Sequence, residues 1–278
     1  MEIVLARSAG FCMGVRRAIE MALEAVREEE EGEVFTHGPL IHNPQALEDL
    51  RDKGVIPLPA DGPVPEGTVV VRAHGVPPAE LEQLEQGSRR VVDATCPKVS
   101  TIQRKIAEFS GRGYAVIIAG DADHPEVVGL LGHASGFARV VSRPDEVDEL
   151  PPLDRVLLVA QSTQDEEVFH AIRQRVLDRY PRAKALATIC QSTHRRQSEV
   201  REMAGCVDAL VVIGGRNSAN TRRLAEIGEA LGVPSYHVET AAELPLGSLR
   251  GLSRVGVTAG ASTPAWIIDE VVQTLARL

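Results

Sequence analysis

The sequence predicts an α/β fold built from small, mostly parallel sheets, and three observations support this prediction. Short apolar strands alternate with helical patterns along the chain, which is typical of parallel sheets with right-handed crossovers. The 278 residues are 44% hydrophobic but only 3% aromatic, so the core is expected to be Val, Leu, Ile and Ala, as in sheets covered on both faces. About ten such units are too many for one short sheet, so we expect two or three similar sub-domains facing a shared centre.

The elements follow from the periodicity of apolar residues. Apolar and β-branched runs predict strands at residues 1–6, 34–36, 68–71, 91–92, 115–119, 155–160, 209–213 and 254–258. Helical spacing predicts helices over 15–26, 45–53, from Ala79, beyond Pro97, around Val127 to Leu131, over 165–180, around Val200 and Met203, and over 221–231 and 265–278. We expect the acidic run 28–31 to be a solvated helix end, and the Pro-rich segments 57–65 and 143–152 to be connectors.

Charge and cysteine content narrow the possible functions. The chain has 30 basic and 39 acidic residues, and its net charge of -9 argues against broad binding to nucleic acid or anionic membranes. No apolar run reaches the length of a membrane span, and the N-terminus does not have the pattern of a signal peptide, so we expect a cytoplasmic protein. Four cysteines in such a chain indicate catalysis, metal binding or packing rather than a disulfide framework.

Three of the cysteines occupy equivalent positions. Cys12, Cys96 and Cys190 each lie in a loop at a strand end, next to the start of a helix, where free N–H groups and the helix dipole favour the thiolate form. Cys206 lies between a helix end and an apolar strand, and we interpret it as a packed residue. No C-x-x-C pair is present, so structural zinc fits badly. Three soft thiolates suit an iron–sulfur cluster that keeps one iron open for a substrate.

Histidines and one acid lie in similar loops. A single loop histidine is usually a surface residue, but His42, His74 and His124 all follow strands, which indicates a shared anionic ligand. Glu126 follows His124 and Pro125; an acid in a first helical turn is expected from the dipole alone. Beside a histidine and a metal centre it becomes a candidate proton donor, since burial would raise its pKa towards the working range.

Several helix starts are rich in hydroxyl and amide groups. These segments are Gln161-Ser162-Thr163, Asn217-Ser218-Ala219-Asn220 and Ala261-Ser262-Thr263-Pro264. Each is ordinary as an N-cap, but together with the helix N-termini they suit phosphate groups. No P-loop motif is present, so a nucleotide site of that type is not expected.

The motifs as a set resemble the IspH/LytB family of 4-hydroxy-3-methylbut-2-enyl diphosphate reductases. They are G-F-C-M-G-V at 10–15, I-H-N at 41–43, A-H-G-V at 73–76, D-A-T-C-P at 93–97, H-P-E at 124–126, T-I-C at 188–190, N-S-x-N at 217–220 and A-S-T-P at 261–264. They occur in the family's order over almost the whole chain, so the resemblance is specific.

The resemblance implies three α/β sub-domains in pseudo-threefold array around a [4Fe–4S] cluster, with expected boundaries at 1–95, 96–189 and 190–278 and an N-terminal strand that pairs elsewhere. It implies that Cys12, Cys96 and Cys190 are the cluster ligands and that Glu126 delivers protons. The implied substrate-binding residues are His42, His74, His124, Ser162, Thr163, Ser218, Ala219, Asn220 and Ser262. It further implies a reductive dehydroxylation of the allylic diphosphate to isopentenyl and dimethylallyl diphosphates, the last step of the non-mevalonate pathway, with a donor such as ferredoxin or flavodoxin.

Two departures from the family pattern concern the substrate site. Ser162 stands where the family often has Thr, which keeps the hydroxyl and loses a methyl group. Ala219 stands where it often has Ser, which removes one side-chain phosphate contact that backbone N–H groups could replace. Two rival interpretations stay open from the residues alone: a cluster-bearing sensor or small-anion binding protein without turnover, and a zinc hydrolase that uses the three cysteines.

Overall fold

Parallel β-sheets organise the chain in the computed structural model, which describes residues 1–30, 32–59 and 62–278. The strands are β1 (Glu2–Leu5), β2 (Val34–His37), β3 (Val55–Leu58), β4 (Thr68–Val71), β5 (Arg90–Asp93), β6 (Ala115–Ala119), β7 (Ala138–Val141), β8 (Val156–Ala160), β9 (Lys184–Ala185), β10 (Ala209–Ile213), β11 (Ser235–Val238) and β12 (Arg254–Ala259). They form three four-stranded sheets with the orders β1-β12-β10-β11, β3-β2-β4-β5 and β7-β6-β8-β9. Every paired strand is parallel to its neighbour.

Helices connect the strands and cover the sheets. They are α1 (Met13–Glu28), α2 (Pro44–Asp52), α3 (Pro78–Gly87), α4 (Pro97–Ser110), α5 (Pro125–Gly132), α6 (Glu166–Arg179), α7 (Gln191–Ala204), α8 (Ala219–Ala230), α9 (Leu246–Leu249) and α10 (Ala265–Leu275). The predicted α/β class with three small parallel sheets is confirmed. No helix in the described part of the chain has both the length and the apolar character needed to cross a membrane.

The core follows the composition that the sequence indicates. Strands β8 and β10, in the middle of their sheets, are buried at every position and read VLLVA and ALVVI. Aliphatic side chains at every position suit a sheet whose two faces are both covered, because neither face is exposed to solvent and able to carry polar residues. The interior is therefore built from aliphatic layers, with few aromatic residues.

The sequence did not predict four of the edge strands, β3, β7, β9 and β11. Part of the connector expected at 57–65 is in fact the edge strand β3, in which Pro57 pairs with Thr36 of β2. Proline is tolerated there because an edge strand has one side without ladder hydrogen bonds. The connector at 143–152 contains a short 3₁₀ helix, Pro144–Glu149. Glu31 of the acidic run and Ala60 and Asp61 of the first connector lie outside the described residues.

The chain divides into two compact units. The first unit comprises 1–16, 42–49 and 191–278 and contains the sheet of β1, β12, β10 and β11. The second unit comprises 17–41 and 50–190 and contains the other two sheets. In the first unit β1 pairs with β12, with Glu2 opposite Arg254. The sub-domain boundaries 1–95, 96–189 and 190–278 stay a proposal.

Close packing in the first unit gives a test of the fold. A Cβ atom added at Gly228 of α8 would lie 2.7 Å from Leu210 Cδ1 and would also overlap Ser235 Oγ. Overpacking of this kind costs about 1–3 kcal/mol, and over most of that range it outweighs the gain of about 1 kcal/mol expected for alanine over glycine in a helix. We expect Gly228→Ala to lower the free energy of unfolding, measured by urea denaturation. Gly247→Ala in α9 is the control, because no atom lies within 4 Å of its added Cβ; equal effects would contradict the packing argument.

Candidate active site

Each of the three predicted cysteine ligands follows an edge strand and precedes a helix. Cys12 follows β1, Cys96 follows β5 and Cys190 follows β9, and the next helix begins at Met13, Pro97 and Gln191 respectively. None of the three forms a disulfide within the described residues, and all three are partly buried. The local placement predicted from the sequence is therefore confirmed for each cysteine. Cys206 is also free but exposed, so its interpretation as a packed residue is wrong.

The main chain fixes the three cysteines in the same way. The N–H group of Cys12 donates to Ala261 O at 3.0 Å, that of Cys96 to Ala73 O at 2.9 Å, and that of Cys190 to Ser162 O at 2.9 Å. In every case the acceptor lies in the loop after the strand that neighbours the edge strand. The cysteine loops are thus held by hydrogen bonds that only parallel neighbours can make.

Residues beside these acceptors belong to the predicted substrate site. Ser262 follows Ala261, His74 follows Ala73, and Ser162 is itself an acceptor. Within each sheet, the loop that holds a cysteine therefore also carries a candidate substrate ligand. The sequence predicted the cysteine ligands and the substrate residues separately, and it gave no indication that hydrogen bonds join the loops that carry them.

Glu126 lies in the first turn of α5 in the second unit and is 2% exposed. Its Oε1 accepts from the backbone N–H of Ser162 at 2.6 Å, and its Oε2 accepts from the Ser162 hydroxyl at 2.7 Å. Burying a carboxyl group is costly unless donors satisfy its oxygens, and Ser162 supplies two. The sequence-predicted proton donor and one predicted substrate residue are thereby brought together. Ser162, which stands where the family often has Thr, keeps the hydroxyl on which this contact depends.

His124 lies at the start of the same helix, and His74 contacts its ring. His124 is the N-cap of α5, and its Nδ1 accepts the Glu126 N–H at 3.1 Å. Since Nδ1 is the acceptor, the hydrogen of the neutral ring is assigned to Nε2, which becomes a donor. The His74 ring meets the His124 ring edge-on, with centroids 5.4 Å apart. The second unit therefore gathers a buried acid, a hydroxyl and two imidazoles at the ends of its strands.

Thr163 has a different role from that of Ser162. Its hydroxyl accepts from Gln161 Nε2 at 2.9 Å, and Gln161 Oε1 accepts from the Asp121 N–H at 3.0 Å. Gln161 is fully buried and joins the loops after β6 and β8. These contacts support the loop that presents Ser162, while Thr163 remains partly exposed.

The first unit contains the remaining predicted residues. Ser218 caps α8 by accepting the Thr221 N–H on its hydroxyl oxygen at 3.3 Å. Ala219 and Asn220 lie in the first helical turn rather than in the preceding loop, because α8 begins two residues earlier than predicted. The first N–H groups of a helix have no partner inside it, so the backbone at Ala219 remains a donor despite the missing hydroxyl.

His42 and Ser262 are in contact in this unit. The Ser262 hydroxyl donates to His42 O at 3.0 Å, and a Cβ atom at Gly215 would lie 2.6 Å from the same carbonyl oxygen. Glycine is therefore required at 215, because any side chain would push the His42 backbone away from the turn after β10. These contacts fix the main chain of His42 against the two loops that carry Ser218 and Ser262.

Two buried amide groups in the first unit have no hydrogen-bond partner in the described structure. The Nδ2 atoms of Asn43 and Asn220 are both unpartnered, although the residues are only 1% and 4% exposed. Asn43 Oδ1, by contrast, accepts the Ala46 N–H at 2.8 Å. Buried donors without partners are rare in native proteins. An anionic ligand with several acceptor oxygens would satisfy them.

The sequence analysis missed the residues that hold the Cys12 loop. Arg196 of α7 is 3% exposed and donates to Gly10 O at 2.5 Å and to Ser192 O at 3.0 Å. Glu199, one turn further along, accepts from the Ser8 N–H at 2.9 Å and from its hydroxyl at 2.6 Å. The available signal was the helical spacing of Arg196 with the apolar Val200, which places a charged residue on the buried stripe of α7.

The donor set fits an iron–sulfur cluster better than a structural zinc ion. Cysteine thiolates at helix starts are soft ligands, and the Val15 N–H lies 3.4 Å from Cys12 Sγ as a hydrogen-bond donor to sulfur. Hydrogen bonds to sulfur are one of the features that set the properties of such clusters. The second and third cysteines have the same position relative to their helices.

Comparison with known proteins identifies close relatives. The model of the LytB protein family matches residues 3–276. A 4-hydroxy-3-methylbut-2-enyl diphosphate reductase of Geobacter sulfurreducens is 47% identical over 275 residues, which cover 99% of this chain and 97% of that protein. The enzyme of the same name from Aquifex aeolicus is 41% identical over 273 residues, 97% of this chain and 94% of that protein.

Solved structures agree with these relatives. The structure of E-1-hydroxy-2-methyl-but-2-enyl-4-diphosphate reductase from Plasmodium falciparum matches with a TM-score of 0.92 at 25% identity, over 98% of this chain and 87% of that one. A second structure, of (E)-4-hydroxy-3-methyl-but-2-enyl diphosphate reductase, described as the terminal enzyme of the non-mevalonate pathway, matches with a TM-score of 0.71 at 40% identity over the full length of both chains.

The Arg196 contact predicts a measurable change in the Cys12 loop. A hydrogen bond from a charged group contributes about 1.5–3 kcal/mol, and about 1.4 kcal/mol corresponds to a factor of ten in an equilibrium. We expect Arg196→Met to increase amide hydrogen exchange of residues 8–12 by about tenfold or more, measured by mass spectrometry of the purified protein. Arg195→Met, at an exposed position, is the matched control. Unchanged protection of the loop in Arg196→Met would show that Arg196 does not hold it.

Proposed function

This chain belongs to the LytB protein family, and we propose that it converts (E)-4-hydroxy-3-methylbut-2-enyl diphosphate to isopentenyl and dimethylallyl diphosphates, the terminal reaction of the non-mevalonate pathway. Its close relatives carry the name of this reductase, so the chain is an oxidoreductase with a small diphosphate substrate. The buried Glu126 carboxyl group, hydrogen-bonded to Ser162 and adjacent to His124, is the structural observation that carries the proposal.

The reaction requires two electrons and two protons. The allylic C–O bond breaks, and the hydroxyl group takes one proton and leaves as water. The two electrons reduce the allylic carbon framework, and the second proton forms a C–H bond at one of its two ends. The choice of end gives the two products. The protein must therefore hold a diphosphate, deliver protons at a defined place and accept electrons from outside.

Glu126 is proposed as the group that delivers the proton to the leaving hydroxyl. The Ser162 hydroxyl lies 2.7 Å from its Oε2. A hydroxyl can act as donor or acceptor, so Ser162 can accept from a protonated Glu126 and donate to an oxygen of the substrate. Burial at 2% exposure excludes bulk water from this contact, so the proton passes along a short hydrogen-bonded path.

His42, His74 and His124 are proposed to bind the substrate's hydroxyl and diphosphate oxygens. The assignment of a hydrogen to Nε2 of His124 makes that nitrogen a donor, and the edge-on His74 ring lies beside it. Imidazole donors suit phosphate oxygens, and the ring tautomer is held by the Glu126 N–H. The same N–H thus couples the orientation of His124 to the position of the acid.

The diphosphate is proposed to bind Ser162, Thr163, Ser218, Asn220 and Ser262, with the Ala219 backbone. The unpartnered Nδ2 of the buried Asn220 supports this assignment, because a phosphate oxygen would be its missing acceptor. The N-terminus of α8 adds donors and about half a positive charge. Ala219, which stands where the family often has Ser, lacks the side-chain hydroxyl but still has its backbone N–H group as a donor.

Cys12, Cys96 and Cys190 are proposed to be the ligands of a [4Fe–4S] cluster. When bound, the cluster supplies electrons one at a time and an iron with an open position that acts as a Lewis acid. The three equivalent loops, each with a cysteine at a helix start, support the assignment. A small one-electron carrier such as ferredoxin or flavodoxin is proposed as the electron donor. A cytoplasmic location is proposed because free thiols persist in reducing compartments.

Substitution of the acid tests the proton assignment. Glu126→Gln keeps the size of the side chain but cannot donate a carboxyl proton, and loss of general acid catalysis typically costs about 10²–10⁴ in rate. We expect anaerobically purified Glu126→Gln to retain the visible absorbance of the cluster and lose most turnover with an artificial reductant. Glu149→Gln, at an exposed position, is the control. Full activity in Glu126→Gln would mean that another group supplies the proton.

Single cysteine substitutions test the ligand assignment. We expect Cys12→Ser, Cys96→Ser and Cys190→Ser each to lose much of the iron, acid-labile sulfide and brown colour, because serine is a harder ligand than thiolate. Cys206→Ser should keep the wild-type content of about four irons, since Cys206 lies outside the three loops. A colourless wild-type protein that contains zinc would instead support the hydrolase.

A further inference from the structure

The loop before α1 and the start of α7 in the first unit carry positive charge that the protein does not compensate. Arg7, Arg16 and Arg195 are exposed, and no ion pair or side-chain hydrogen bond is formed by them within the described residues. Elsewhere on this acidic chain several exposed arginines are paired, as in Arg175 with Asp148 and Arg216 with Glu243. Exposed arginines without an ion pair occur elsewhere too, but these three lie on segments that α7 holds together, the loop before α1 and the starts of α1 and α7.

The stability of α1 and α7 does not explain why these arginines lie at the helix starts. Acidic residues are preferred in the first turn of a helix and basic residues in the last, because of the helix dipole. Neither α1 nor α7 has an acidic residue in its first turn. Arg16 and Arg195 instead lie in the fourth and fifth positions of their helices, close to the positive end. Basic residues at these helix starts are unfavourable for the helix dipole, and they are also unexpected in a chain with a net charge of -9.

The hydrogen bonds of α7 hold together the segments that carry these residues. Arg196 donates to Gly10 O at 2.5 Å, and Glu199 accepts from Ser8 at 2.6 and 2.9 Å. They hold the loop that carries Arg7 against the helix that carries Arg195. Glu199 keeps its negative charge, but its Oε2 is hydrogen-bonded to Ser8 of the Cys12 loop rather than paired with Arg195. We call the group of Arg7, Met13, Arg16 and Arg195 the Cys12 surface.

Met13 adds an apolar group to the Cys12 surface. It directly follows Cys12, and its side chain is 73% exposed, the highest value among the large apolar residues that remain exposed. A flexible, exposed thioether is a common element of surfaces that bind proteins. An exposed apolar side chain on a segment that also carries cations is the pattern expected for docking a protein of opposite charge.

We propose that the Cys12 surface is the docking site of an acidic one-electron carrier protein, which delivers electrons at the Cys12 loop. The proposal rests on the function proposed above and adds the place where the reductant binds. Each encounter oxidises one reduced carrier by one electron and reduces the enzyme by one electron, so two encounters complete a turnover. Charge complementarity selects an acidic partner, because the surface is cationic and the rest of the chain is not.

The test compares two reductants on the same holoenzyme. Arg16→Glu/Arg195→Glu is assayed anaerobically with a reduced acidic [2Fe–2S] ferredoxin and, separately, with dithionite and methyl viologen. We expect the KM for ferredoxin to rise by about tenfold or more and its salt dependence to weaken, while viologen-driven turnover stays within about twofold of wild type. Titration calorimetry with oxidised ferredoxin should show a matching loss of affinity.

The control is Arg250→Glu/Arg277→Glu, two exposed arginines of the same unit that change the net charge by the same amount. It should leave the ferredoxin KM near the wild-type value. An equal rise in both double variants would reduce the effect to overall charge and overturn the proposal, as would an unchanged ferredoxin KM in Arg16→Glu/Arg195→Glu. A wild-type enzyme that fails with methyl viologen would refute the proposed function, whereas the calorimetric comparison would still decide whether ferredoxin binds here.

Discussion

Parallel pairing of the strands is the constraint on which the rest of this structure depends. In a parallel sheet all strands end at the same edge, so the loops that follow neighbouring strands lie side by side. The three cysteines make use of this directly. Each follows an edge strand, and its N–H group donates to a carbonyl in the loop after the neighbouring strand, at 2.9–3.0 Å. The same hydrogen bond, repeated in three sheets, fixes a thiol at the start of a helix and places a polar side chain beside it.

The chemistry in the second unit follows from the cost of burying a charge. Glu126 is 2% exposed, and it is stable there because Ser162 offers both a backbone N–H and a hydroxyl. Its own N–H in turn holds His124 in one orientation. Acid, hydroxyl and imidazole are thus arranged by three hydrogen bonds, two of which join the loop after β8 to α5, while the third lies within the N-cap of α5. In the first unit, by contrast, the exposed cations Arg7, Arg16 and Arg195 form no ion pair within the described residues.

The sequence predicted the buried strands well and the edge strands poorly, for a physical reason. A strand such as VLLVA of β8 is buried at all positions, so its apolar run is visible without any knowledge of its neighbours. The edge strands β3, β7, β9 and β11 are only partly buried, and they exist because a neighbouring strand supplies hydrogen bonds. Position 57 in β3 is a proline, a residue type that argues against a strand, and it is tolerated because β3 lies at the edge of its sheet.

The sequence by itself determined the α/β class, the three cysteine loops, and the family to which the motifs belong, because apolar periodicity and residue types at helix starts are local properties. It could not show that Ser162 satisfies Glu126, that Arg196 and Glu199 hold the Cys12 loop, or that Cys206 is exposed. Ser8 and Glu199 are 191 positions apart, and their contact arises only when β1 pairs with β12. Contacts of this kind depend on which loops the sheet brings together, and only the tertiary structure decides that.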